Sequence, residues 1–108
     1  MSKEINAKIE VYQSGVFKKG FDKLNDEQKD IVEIEIDLII ENPDIGERKK
    51  GDLSHIWVHK FRLNGMETLL GYAWKEQKLE LYLLHLGPHE NFYKSAKKRR
   101  KTDLDLSA

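Results

Sequence analysis

This chain of 108 residues predicts a small single-domain α+β fold: an N-terminal strand, two helices, an antiparallel three-stranded meander and a C-terminal helix. Three observations carry that prediction. Apolar runs over 55–63 and 66–74 flank Asn64-Gly65, the dipeptide that most readily takes the two positive φ angles of a type I′ hairpin turn. Upstream, two segments with helical apolar spacing follow good capping residues, Ser14 and then Asn25 or Asp26. Downstream, Gly87-Pro88 stops the last strand, and proline suits a first helical turn. The length supports one core and not two, so residues 1–101 read as one domain and 102–108 as a flexible, frayed tail.

Taken in order, Ile5, Ala7, Ile9 and Val11 alternate with polar residues, so residues 5–12 read as a short edge strand. Ser14 caps a helix through about Leu24, with Val16, Phe17, Phe21 and Leu24 on its inner stripe. The second helix ends at Asn42-Pro43. Its centre, Val32 to Leu38, also alternates like a strand. On a helical wheel, however, Asp30, Glu33, Asp37 and Glu41 share one polar face and only Glu35 sits badly, which favours the helix. Pro43 to Leu53, containing Arg48-Lys49-Lys50-Gly51, reads as a charged loop, and His89 to about Lys101 as the last helix.

The two-residue turn sets the register of the hairpin. Leu63 pairs with Met66, and stepping outward places Arg62 opposite Glu67, Lys60 beside Leu69, His59 opposite Leu70 and Trp57 opposite Tyr72. Arg62 and Glu67 are positioned for a cross-strand ion pair. A polar turn, Lys75 to Lys78, then leads to a third strand from Leu79 to Leu86, with Trp74 beside Leu79. Alternation sorts this meander into a core face, with Trp57, His59, Phe61, Leu70, Tyr72, Leu79 to Leu83 alternately and His85, and a second face with Val58, Lys60, Arg62, Leu69, Tyr82, Leu84 and Leu86. The second face mixes cations with a phenol, as a partly open, anion-receiving surface requires.

The net charge of zero conceals an asymmetry. Residues 1–47 hold 6 Lys/Arg against 12 Asp/Glu, whereas residues 48–101 hold 13 against 5. An acidic front and a basic back point to a polyanion surface on the sheet and C-terminal segment, with neutralisation between the halves as the structural alternative. Without cysteine there is neither a disulfide framework nor a thiolate metal site. No apolar run reaches the roughly 20 residues that span a bilayer, and MSKEINAK lacks the apolar stretch of a signal peptide, so a soluble, cytoplasmic protein with no membrane association is expected.

The order strand, two helices, basic loop, meander, helix resembles the RelE/ParE superfamily of toxins from bacterial type II toxin–antitoxin pairs. The likeness covers nearly the whole chain in layout and is specific at the helix ending in Asn42-Pro43, at Gly51-Asp52-Leu53 before the strands, at the alternate cations of the second strand, and at the short loop ending in Tyr93. One branch of that superfamily cuts messenger RNA on the ribosome without a metal or other cofactor, the messenger's own 2′-hydroxyl attacking the adjacent phosphate; another poisons DNA gyrase. The resemblance thus implies a cognate antitoxin, with mRNA and ribosome as the further partners of an endoribonuclease that inhibits translation. It assigns catalytic positions to Lys60, Arg62, His89 and Tyr93. Leu69 stands where many members carry a phosphate-binding arginine, and Gly87 stands near another.

Cleavage by a 2′-hydroxyl needs a base, an acid for the leaving 5′-oxygen, and cations for the phosphorane. Histidine serves as either acid or base near neutral pH, which makes His89 a candidate for both roles; Arg62 suits bidentate phosphate contact, and Tyr93 or Tyr82 offers a ring to a splayed base. Arg48, Lys49, Lys50, Lys94, Lys97 and Lys98 are candidates for RNA phosphates or for an acidic antitoxin segment, or else simply a solvated charged face. His89 to Tyr93 equally suits a helix start packing Phe92 and Tyr93 on the sheet. His59 and His85, projected onto the apolar face, read as core or rim histidines, and His55 and His59 lie about 13 Å apart on a strand, too far to share a metal.

Overall fold

A computed structural model describes residues 9–108. The elements are β1 (Glu10–Gln13), α1 (Gly15–Asp22), α2 (Asp26–Glu41), β2 (Glu47–Arg48), a 3₁₀ turn (Gly51–Leu53), β3 (Trp57–Leu63), β4 (Met66–Lys75), β5 (Glu80–Pro88), α3 (His89–Lys98) and α4 (Arg100–Leu106). The sheet runs β1-β5-β4-β3-β2, with β1 parallel to β5 and the other pairs antiparallel. Among the described helices none is long and apolar enough to cross a membrane.

Local chemistry explains the front half. Ser14 accepts the Phe17 amide at 3.0 Å and starts α1, and its hydroxyl also donates to Leu84 O at 2.6 Å, tying the helix to β5. Asn25 and Gln28 form a reciprocal capping box at the start of α2, which decides that segment as helix despite its strand-like alternation. Glu35, the residue that fits the wheel badly, lies against His59. The expected edge strand is present as Glu10–Gln13; Ile5 and Ala7 lie outside the described residues.

The β3–β4 register is the expected one at every pair from Trp57↔Tyr72 to Leu63↔Met66, with Asn64 and Gly65 at φ 53° and 83°. Arg62 faces Glu67 as expected, yet its Nη1 donates to Gly65 O at 2.7 Å and no Arg62–Glu67 ion pair forms; the turn carbonyl offers a fixed acceptor nearer the strand. Leu79 is not the first residue of the third strand. It takes φ 54° in a four-residue turn, so Trp74 pairs with Leu81. A shift of two positions preserves alternation, which is why Leu81 and Leu83 still face the predicted core.

A bulge between Gly71 and Tyr72 changes the rest of β5. Tyr72 pairs with Leu83 but Gly71 with His85, so Leu84 is the extra residue and the faces of His85 and Leu86 are exchanged. Leu86 joins the α1–α2 side, with Phe17, Val32, Ile39, Leu70 and Tyr72. His85 turns to the opposite side and meets Phe92 and Asp103.

That opposite side is not the open surface expected of it. Leu53, Ile56, Val58, Leu69, Ala73, Tyr82 and Leu84 form a second core with Phe92 and Ala96 of α3, leaving the Lys60, Arg62 and Glu67 end in solvent. The basic loop likewise contains β2 and the 3₁₀ turn. The C-terminal helix breaks at Arg99, and of the stretch 102–108, expected to fray, residues 102–106 continue α4, with Asp103 and Ser107 each 1% exposed.

Candidate functional site

The chemistry-bearing side chains converge where β2 and the start of α3 meet across the sheet's edge. Lys49 follows β2, its amide donating to Ile56 O at 3.0 Å. Its ammonium donates to Oε1 of Glu47 at 2.9 Å and sits 5.2 Å from the Tyr93 ring centroid. Tyr93 is half-buried against the second core, edge-on to Phe92 at 5.2 Å and to His89 at 5.5 Å. His89 and Tyr93 are one helical turn apart, so the helix itself brings the two rings together.

Electrostatics follow from this grouping. The hydrogen bond from Lys49 lowers the Glu47 carboxyl below its ordinary range, helped by the charges of Lys49, Lys60 and Lys50. Glu47 in turn raises the Lys49 ammonium, with Tyr93 adding to the effect against the opposing influence of burial. The edge thus holds a row in which each group neighbours the next: the Glu47 carboxylate beside the Lys49 ammonium, the ammonium beside the Tyr93 phenol, and that ring beside the His89 imidazole. Glu47 was not among the sequence candidates. The signal for it was Glu47-Arg48-Lys49, where period-two alternation puts opposite charges on one side.

The other predicted residues separate into distinct places. Lys60 is exposed on β3, on the same side as Val58, and its charge reaches Glu47. Arg62 lies further toward the hairpin end and is drawn to Gly65 O. Arg48 is turned to the opposite side of the sheet: it stacks over Trp57 at 5.9 Å and donates from Nε to Ser54 O at 3.2 Å, so it does not join Lys49. Lys50, Lys94, Lys97 and Lys98 are exposed, the last two in the final turn of α3, where cations complement the helix dipole.

Tyr82 is not a free stacking platform. It is 7% exposed, donates to Glu80 Oε1 at 2.7 Å and stacks on Tyr12 at 5.1 Å, and the Glu80 bond, followed by burial, pushes it up to about 12. Tyr12 presents the accessible ring of that pair. Leu69 and Gly87, where the resemblance expects arginines, are cross-strand partners, and Leu69 is fully buried in the second core. His59 and His85 have carboxylate partners, while His55 Nε2 is buried without one and burial lowers its pKa. Among the described residues no three His, Cys, Asp or Glu come together as a metal would require.

Comparison with known proteins agrees with this architecture. The family described as ParE-like toxin of type II bacterial toxin–antitoxin system matches residues 11–97. No curated protein matches the chain in sequence. A double arginine-to-alanine variant of E. coli toxin RelE in the free state superposes with TM-score 0.67 at 19% identity, covering 84% of this chain and 96% of that one. The isolated E. coli RelE toxin gives 0.61 at 20%, covering 84% and 97%. RelE in the intact E. coli RelBE toxin–antitoxin complex gives 0.62 at 18%, covering 76% and 98%. At these identities the likeness is one of fold.

Proposed function

The chain belongs to the ParE-like toxins of type II bacterial toxin–antitoxin systems, with a RelE-like fold, and from that premise we propose that it is a ribosome-dependent messenger RNA endoribonuclease acting in the cytoplasm and held in check by a cognate antitoxin protein. The observation that carries this reading is the row of successive contacts from Glu47 to Lys49, Lys49 to Tyr93 and Tyr93 to His89, with the charge of Lys60 acting on Glu47.

Each group has a task in cleavage by the messenger's own 2′-hydroxyl. Glu47, kept ionised by its cations, takes the 2′-hydroxyl proton as the oxygen attacks phosphorus. His89 in its protonated form gives a proton to the departing 5′-oxygen. The products are a 2′,3′-cyclic phosphate and a 5′-hydroxyl, with no metal or cofactor in the reaction. Lys49 and Lys60 offset the phosphorane's extra negative charge, Tyr93 stacks a splayed base, and Arg62 holds the adjoining backbone after exchanging the Gly65 carbonyl for a phosphate.

The test is primer extension on messenger RNA from cells given a brief pulse of the protein, with a His89→Ala, Tyr93→Ala double variant alongside. New 5′ ends at fixed codon positions, lost in the variant, support the reading. A second reading, a non-nucleolytic inhibitor of DNA gyrase, is favoured by one observation: Leu69 and Gly87 leave the middle of the sheet without a phosphate-binding cation. Intact messages together with DNA-damage signalling would select it and reject cleavage.

A further inference from the structure

We propose that α4 is a positioning element for the site: Asp103 holds His85, and through Phe92 this buried pair fixes the start of α3, where His89 and Tyr93 stand. The inference rests on the reading of those two residues as functional. The contacts are continuous. His85 Nε2 meets Asp103 Oδ2 at 2.6 Å with both side chains no more than 3% exposed. The His85 ring lies edge-on to Phe92 at 5.9 Å, Phe92 to Tyr93 at 5.2 Å, and Tyr93 to His89 at 5.5 Å.

Two further features of the chain converge on Phe92. The bulge in β5 turns His85 from the α1–α2 side to this one, the kind of re-aiming that bulges perform. At Gly71, a Cβ would come within 2.8 Å of Phe92 Cζ, so only glycine lets that ring seat beside His85. A buried imidazole–carboxylate pair is a poor source of stability compared with apolar packing of the same volume. What it does supply is direction, because a bond at one nitrogen orients the imidazole plane. Asp103 lies outside residues 11–97, the part that matches the family model.

The test uses the full chain with Asp103→Asn, Asp103→Ala and Gly71→Ala, and Val32→Ala as a control destabilised on the other side of the sheet. Two quantities are read: the NMR ring signals of His89 and Tyr93 in the folded protein, and kcat and KM for message cleavage in a reconstituted translation mixture. In the Asp103 and Gly71 variants both ring signals shift while those of His59 stay, and kcat falls roughly 10- to 100-fold, the cost of a small misplacement, with a lesser change in KM. Val32→Ala lowers the melting temperature and moves none of these. Unmoved His89 and Tyr93 signals in folded Asp103→Asn would overturn the proposal, as would equal shifts in Val32→Ala. If Asp103→Ala does not fold, Asp103→Asn and Gly71→Ala decide in the same way. Should the native protein cleave no message, the nuclease reading fails while the ring signals still judge the positioning.

Discussion

The His59 imidazole donates through Nε2 to Oε1 of Glu35 at 2.7 Å, joining the middle of α2 to β3. With side chains 11% and 20% exposed, the pair explains the single charged residue that falls off the polar face of α2. Removing the carboxylate leaves the imidazole nitrogen largely unsolvated. Glu35→Ala is therefore expected to destabilise the protein by ~1–3 kcal/mol, and Glu35→Gln by less. Thermal melts of the two variants check the ordering; equal melting temperatures for Glu35→Ala and the native chain would show that the pair contributes nothing.

Tyr72 secures the loop after α2. Its hydroxyl donates to Pro43 O at 2.6 Å and accepts the Gly46 amide at 3.0 Å. Burial pushes the phenol up to about 12. The unfolded phenol loses its proton near its ordinary value of about 10, so above that pH the unfolded state binds fewer protons than the folded one and stability declines. The contribution is complete below pH ~10 and lost as the pH rises through the folded value. Tyr72→Phe should flatten part of that decline in denaturant titrations, with Tyr82, Tyr12 and Lys49, all raised in the folded state, contributing to what is left.

Lys49 sets the protonation of Glu47. In Lys49→Ala the carboxyl returns toward its ordinary value, so on the proposed nuclease reading the acid limb of the cleavage profile moves to higher pH, and loss of the cation slows cleavage by roughly 10²-fold. Glu47→Gln removes the proposed base and should cost on the order of 10²–10⁴-fold in cleavage on the same reading. Rates across pH in a reconstituted translation mixture distinguish the two: a Lys49→Ala profile with the native acid limb would contradict the coupling.

Lys94, Lys97 and Lys98 are exposed on α3. If they meet RNA phosphates, replacing all three with alanine lowers the slope of log affinity against log salt by about 0.7–0.9 for each phosphate that is no longer neutralised. Ribosome binding measured across a salt series gives the answer, and an unchanged slope would return these lysines to the role of a solvated helix face.

The fold was legible wherever a local rule decides a local structure. Asn64-Gly65 gave the β3–β4 register pair by pair, because a two-residue turn leaves no freedom in the strands it joins. Ser14 and the Asn25–Gln28 box marked two helix starts, since capping needs only residues three positions apart. Within the candidate site, His89 and Tyr93 were recognisable as neighbours for the same reason.

What escaped depends on partners distant in the chain. Leu79 takes a positive φ that leucine does not favour, and nothing near it signals that the polar turn runs from Glu76 to Leu79 and not from Lys75 to Lys78. The bulge that reverses His85 is justified only by Asp103 waiting on α4 and by the space that Gly71 leaves for Phe92. Glu47 acquires its chemistry from Lys49 and Lys60 once β2 is laid beside β3.

By itself, then, the amino-acid sequence determined the helices, the hairpin and the sorting of most strand residues into faces, because spacing, caps and turns act over a few residues. Tertiary structure alone decided that both faces are covered, that α4 is a helix with a buried aspartate, and that Glu47 rather than Arg62 stands with Lys49, His89 and Tyr93. Those outcomes turn on desolvation and on the meeting of charges from separate elements, which exist only after the chain has packed.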